Sequence, residues 1–98
     1  MLSLFEARIE VFPKPGTRVP EAAAILDALG RLGFEDTLNV SVGRVFVIHL
    51  RAADRDRARV MATNMAGKLL ANPVLERFGI DVIEFPQTNV PDDAERMA

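Results

Sequence analysis

The stretch Phe5-Glu6-Ala7-Arg8-Ile9-Glu10-Val11-Phe12 decides the fold. Charged side chains alternate with apolar ones along it, and this period of two is typical of a β-strand with one buried face. Residues 13–16 contain two prolines and a glycine, which end the strand because proline has no backbone N–H to donate to a sheet. The sequence therefore predicts an amphipathic strand followed by a loop.

Two helices are predicted from apolar stripes with spacings of three and four. The first begins near Pro20, since proline fits the first helical turn, and ends at Gly33. The second begins after Asp54, a favoured N-cap, and ends at Asn72, since the residue before a proline avoids the α conformation. We expect the apolar stripe of each helix to pack on a sheet.

Residues 37–50 alternate again, with Gly43-Arg44 between two apolar runs, and this pattern predicts two strands joined by a tight turn. A fourth strand is predicted over residues 80–85. The order β-α-β-β-α-β predicts an α+β fold of ferredoxin-like element order, in which a four-stranded antiparallel sheet carries both helices on one face. We expect this domain to span residues 1–86 and the polar residues 87–98 to form a mobile tail.

The second face of such a sheet would be bare. It would carry Val45, Val47 and His49 beside the charged side chains of the first strand. Exposed apolar sheet surface usually marks association, so the sequence predicts a homo-oligomer in which sheet packs on sheet across a two-fold axis.

Composition excludes several classes of function. The 98 residues are too few for two separate cores, and the net charge of −2 disfavours binding to nucleic acid. The absence of Cys, together with a single His, excludes thiolate catalysis, iron–sulfur clusters, zinc knuckles and disulfides. The first residues contain neither a basic leader nor a long apolar run, so we expect a cytoplasmic protein without membrane contact.

Candidate catalytic residues are few. His49, the only imidazole, follows Ile48 in a strand, where a packed or interface role is more common than a role as a base. Glu6 and Glu10 share a strand face with Arg8 between them, which favours a solvated row of charges over a catalytic carboxylate pair. No catalytic, cofactor or metal site is predicted, and a free-standing enzyme has little support.

The run Lys68-Leu69-Leu70-Ala71-Asn72-Pro73-Val74-Leu75-Glu76 resembles the most characteristic segment of the PurS family. Residues 24–34 and 40–44 look like the rest of that family's pattern in the same order, so the resemblance covers residues 5–85. The sequence departs from the family's Asp-Pro-Gln-Gly motif at Val19 and Ala22, which replace the aspartate and the glycine.

This resemblance implies a noncatalytic small subunit of phosphoribosylformylglycinamidine (FGAM) synthase, an ATP-dependent C–N ligase of purine biosynthesis. It implies two larger partners: PurL, which uses ATP to convert formylglycinamide ribonucleotide to the amidine, and PurQ, which releases ammonia from glutamine. ATP, Mg and glutamine would be used by these partners, with no cofactor on this chain. The small subunit would bridge the two enzymes for ammonia transfer, and the family also forms dimers or dimers of dimers.

Docking residues should be exposed, rigidly placed and near breaks between elements. The residues that we predict on this basis are Gly43, Arg44, Lys68, Asn72 and Pro73. Purely structural roles are also open, because an asparagine can end a helix and a glycine can permit a turn.

A second hypothesis belongs to another class of function. It is a homo-oligomeric regulatory module that binds a small molecule between subunits. Such a module would be stabilised by its ligand in the absence of a large partner.

Overall fold

The computed structural model describes residues 2–85. Its elements are β1 (Ser3–Pro13), α1 (Pro20–Arg31), β2 (Arg44–Ala52), α2 (Arg55–Met65) with a π-helical continuation (Ala66–Leu70), and β3 (Glu76–Glu84). The strands form one antiparallel sheet in the order β2-β1-β3. The predicted tail at residues 87–98 lies outside the described residues. No helix between residues 2 and 85 combines the length and hydropathy needed to cross a membrane.

Strand β1 forms the centre of the sheet, as its alternation predicts. Ile9 lies opposite Phe46 of β2 and Ile80 of β3, and both Ile9 and Val11 are completely buried. Full burial of such a side chain contributes about 1.5–3 kcal/mol to folding. This strand therefore provides the largest part of the core.

Helix α2 covers one face of the sheet. It contributes Ala58 and Ala62, and the π-helical turn contributes Ala66, all without exposed surface. The small alanine side chains allow the helix backbone to approach the strands closely. Asp54 is the N-cap, as predicted, and its Oδ1 accepts a hydrogen bond of 2.7 Å from the backbone N–H of Arg57.

The prediction of four strands is wrong in the described part of the chain, which contains three. Residues 37–43 belong to no strand, and Gly43-Arg44 does not form a hairpin turn. Instead Arg44 begins β2 and lies opposite Val11, so residues 37–43 continue past the end of β1. The last residue of β1 is Pro13, which has no backbone N–H to donate to a neighbouring strand, so the pairing does not continue. The element order is therefore β-α-β-α-β.

The prediction that both helices cover one sheet face is also wrong, since only α2 packs closely on the sheet. Helix α1 has no buried residue. The exposed fractions of Leu32, Phe34 and Leu38, in and after its last turn, are 73%, 59% and 90%. The apolar stripe of α1 is present as predicted, but none of it is fully buried: Ile25 and Leu32 are exposed, and Ala22 and Leu29 are half-buried.

The open face of the sheet carries the side chains that the alternation predicts for it. Arg8 lies between Val47 and Asp81, and the neighbouring row places Glu6 between His49 and Ile83. Val47 and Ile83 are exposed. The face is thus a mixture of charged and apolar side chains.

Candidate partner-binding surface

Several of the predicted docking residues meet at one end of the sheet. Because β1 is antiparallel to both neighbours, its last residues lie beside the first residues of β2 and β3: Val11 is opposite Arg44, and Pro13 is opposite Glu76. The loop that follows the π-helical turn closes over the same end, where the backbone N–H of Lys14 donates a hydrogen bond of 2.9 Å to the carbonyl of Leu75.

Arg44 is held by an acidic partner. Its Nη2 donates to both carboxylate oxygens of Glu76, at 3.0 and 2.9 Å, and lies 3.4 Å from the carbonyl oxygen of Leu70. The side chain of Arg44 remains 55% exposed. Exposed ion pairs stabilise a fold by about 0–1 kcal/mol, so the main effect of this pair is to fix the position of the guanidinium group.

Asn72 organises the loop after the π-helical turn. Its Oδ1 accepts a hydrogen bond of 3.0 Å from the N–H of Val74, which is the geometry of an Asx turn. Its own N–H donates to Oε1 of Glu76 at 2.8 Å, and its carbonyl accepts from the N–H of Glu76 at 2.8 Å. Asn72 thus has a structural role in ordering this loop, one of the alternatives left open by the sequence, whereas its docking role stays a prediction.

Gly43 is required by close packing. A Cβ atom on this residue would lie 2.5 Å from the carbonyl oxygen of Val11 and 2.6 Å from the ring of Phe12. No side chain fits there without displacing the end of β1. Gly43 therefore sets the path by which residues 37–43 enter β2, and this role differs from the predicted hairpin turn.

Lys68 and Pro73 are both exposed. Lys68 belongs to the π-helical turn, in which the N–H of Ala71 donates to the carbonyl of Ala66 at 2.9 Å. Such wide turns occur frequently at functional sites. The turn presents Leu69 to solvent, with 83% of its surface exposed, whereas Leu70 packs against the core.

Sequence reasoning missed the apolar part of this surface. Leu69, Val74 and Leu75 are exposed, and each lies within two residues of Leu70 or Glu76, the two residues that accept hydrogen bonds from the side chain of Arg44. Apolar side chains surrounded by polar ones are typical of protein interfaces. Exposed leucines in the run of residues 68–76 could not be distinguished by sequence from leucines that pack on the sheet.

His49 has a packed position, as predicted. Its Nε2 lies 3.2 Å from Oε1 of Glu6, and its ring centroid lies 4.7 Å from that of Phe85. Residues 2–85 contain no group of three or more His, Cys, Asp or Glu side chains suited to a metal ion. The geometry around His49 is that of a side-chain contact within the sheet.

The family model for PurS, described as phosphoribosylformylglycinamidine (FGAM) synthase, matches residues 6–84. The chain belongs to the PurS family. A relative from Archaeoglobus fulgidus, named phosphoribosylformylglycinamidine synthase subunit PurS, is 42% identical over 67 residues, which are 68% of this chain and 84% of the relative. A relative of the same name from Methanocaldococcus jannaschii is 29% identical over 79 residues, 81% of this chain and 95% of the relative.

Solved structures of PurS proteins have the same fold. PurS from Thermus thermophilus superposes with a TM-score of 0.74 at 32% identity, covering 85% of this chain and 99% of that chain. A structure of PurLQS from Thermotoga maritima contains a chain that superposes with a TM-score of 0.75 at 21% identity, covering 82% of this chain and 98% of that one. The predicted family resemblance is confirmed, and the fold is a PurS-like α+β fold with three antiparallel strands and two helices.

Proposed function

We propose that this chain is the PurS subunit of FGAM synthase and that it acts by holding larger catalytic subunits in contact. The observation that carries the proposal is the family match over residues 6–84. The relatives from Archaeoglobus fulgidus and Methanocaldococcus jannaschii are both named as this subunit. In this role the chain makes and breaks no bonds itself.

The partners are PurL and PurQ. The PurLQS structure from Thermotoga maritima, one chain of which shares this fold, supports this assignment. ATP, Mg and glutamine are used at the partner subunits, where ammonia released from glutamine is consumed in forming FGAM. By ordering the two enzymes, a small subunit can shield this route from water and so limit the loss of a reactive intermediate.

The docking surface consists of Gly43, Arg44, Lys68, Asn72 and Pro73, joined by the exposed Leu69, Val74 and Leu75. Its polar centre is preorganised, because the Arg44–Glu76 ion pair and the Asx turn at Asn72 hold the groups in place before a partner binds. Preorganisation lowers the entropic cost of association. The apolar side chains around this centre would provide the area that is removed from water on docking.

The chain also associates with itself, as a dimer or a tetramer. The open sheet face and the segment after α1 both support this part of the proposal, because Leu32, Phe34 and Leu38 expose apolar surface that a second copy would cover. Residues 38–43 belong to no strand of the described sheet, so their backbone groups are available to pair with another strand.

Complex formation tests the proposal directly. Size-exclusion chromatography with light scattering on this chain mixed with its PurL and PurQ should give one species that contains all three proteins. The same mixture with Asp in place of Leu69 and Val74 should give less of that species. A matched control is Val60→Asp, which places the same charge on an exposed apolar position of α2 away from the docking surface. The proposal fails if the wild-type chain elutes separately from both enzymes at micromolar concentration.

A further inference from the structure

A cleft lies at the end of the molecule where the β1–α1 loop begins. Its volume is about 430 Å³. The loop of residues 14–19 forms one side, the first turns of α1 form another, and residues 39–42 with Arg77 close the rest. This volume lies within the range of roughly 300–1,000 Å³ that is usual for small-molecule sites.

Three cationic side chains line the cleft, and they come from separate parts of the chain. Lys14 and Arg18 belong to the β1–α1 loop, and Arg77 belongs to β3. No aspartate or glutamate lines it. Among residues 2–85, none of the three cations has a carboxylate within ion-pairing distance. This cluster of positive charge is notable in a chain whose net charge is −2.

The cations are carried by an anchored loop. The backbone N–H of Lys14 donates to the carbonyl of Leu75 at 2.9 Å, and the N–H of Thr17 donates to the carbonyl of Lys14 at 3.0 Å. Gly16 has a φ of +85°, a conformation that favours glycine, and so permits this tight turn. The backbone of the loop that carries Lys14 and Arg18 is therefore fixed beside the cleft without help from a ligand.

Neutral polar and apolar groups complete the lining. The side chains of Thr17, Asn39 and Ser41 offer hydroxyl and amide groups, and Val19 and Leu26 provide an apolar wall. Arginine and lysine bind phosphate oxygens through charge-assisted hydrogen bonds, which are roughly twice as strong as neutral ones. A phosphate group would fill only part of the cleft, so a sugar-sized substituent could also be accommodated.

We propose that this cleft binds a phosphate group, either as the free anion or as part of a small phosphate ester, with Lys14, Arg18 and Arg77 as the charged contacts. The site lies within a single chain, at the same end of the sheet as the Arg44–Glu76 cluster, and none of its lining residues belongs to the proposed docking surface. It does not depend on docking to PurL and PurQ, and it is tested where the chain is monomeric, because residues 39–42 also belong to the surface proposed for self-association.

The test is a titration of the ¹⁵N-labelled full chain, followed by NMR at constant ionic strength. One arm uses inorganic phosphate, the second ribose 5-phosphate, and the third sodium chloride. We expect saturable shifts of the Gly16 and Thr17 amide signals with a phosphate compound and none with chloride. Tighter binding of ribose 5-phosphate would identify an ester as the ligand, whereas equal or tighter binding of inorganic phosphate would identify the anion.

Variants connect the binding to the cleft. Arg18→Gln and Arg77→Gln should each weaken phosphate binding about ten-fold, the loss expected for one charge-assisted hydrogen bond. Arg51→Gln is the matched control, because Arg51 is exposed near the opposite end of β2 and should leave the affinity unchanged. Absence of saturable shifts, or equal weakening by all three variants, would overturn the proposal.

Discussion

The two helices of this protein differ sharply in their surroundings. Helix α2 buries Ala58 and Ala62 against the sheet, whereas α1 buries no residue at all. Both carry an apolar stripe, and α1 is the more hydrophobic helix by composition. The comparison shows that β1, β2, β3 and α2 form the core, while α1 and residues 37–43 contribute no buried residue to it and present a surface that another molecule would complete.

The comparison is tested most strongly by removing equal side-chain volumes from the core and from the end of α1. Ile9→Ala removes a fully buried side chain from the core and should lower the free energy of unfolding by about 2–5 kcal/mol. Leu32→Ala at the C-terminal end of α1 should change it by about 0.5 kcal/mol or less at concentrations where the chain is monomeric. Urea denaturation of both variants provides the measurement, and equal losses would show that α1 belongs to the core.

The junction between the two regions lies at Gly43. Gly43→Ala should destabilise the chain by about 1–3 kcal/mol, because the new Cβ atom would meet the carbonyl oxygen of Val11. Gly67→Ala is the matched control, since a Cβ atom there meets nothing within 4 Å. Thermal unfolding compares the two variants, and a Gly43→Ala protein as stable as the wild type would contradict the close approach of Gly43 to Val11.

The apolar surface of α1 can be tested through self-association. Leu32→Asp should raise the dissociation constant of the proposed homo-oligomer at least about ten-fold, since it replaces apolar burial by a charge that must be desolvated. Val60→Asp, on the exposed side of α2, should leave it unchanged. Analytical ultracentrifugation measures both constants, and an unchanged oligomer in the Leu32 variant would place the self-association elsewhere.

Only a small effect on stability is expected at the docking surface. Arg44→Gln removes one exposed ion pair and should reduce the free energy of unfolding by less than about 1 kcal/mol. Its binding to PurL and PurQ should nevertheless weaken, because the guanidinium group is fixed at the centre of the proposed surface. Arg51→Gln is the control. Denaturation together with calorimetric titration separates the two effects: a large loss of stability would make Arg44 structural.

The sequence predicted correctly those parts of the fold in which a local residue pattern is explained by a single structure. Alternation in β1 and the N-cap at Asp54 are of this kind, and the structure confirms both. The strand predicted within residues 37–42 is absent, because its alternating pattern is compatible with more than one structure. Alternation indicates that one face meets apolar surface, but it does not specify whether that surface belongs to the same chain.

The candidate surface was predicted only in part. Gly43, Arg44 and Asn72 were selected individually, and the structure brings them to one end of the sheet. The contact between Arg44 and Glu76 joins positions 32 residues apart, so no local pattern could reveal it. The exposed leucine at position 69 was equally hidden, because a π-helical turn changes which side chains face the core.

The central claim is that this chain contributes structure to FGAM synthase while its partners perform the chemistry. The most direct measurement is the rate of glutamine-dependent FGAM formation by PurL and PurQ, with ATP and Mg, in the presence and absence of this chain. The account predicts a large fall in that rate when the chain is omitted and recovery when it is added back. A full rate from PurL and PurQ alone would contradict it.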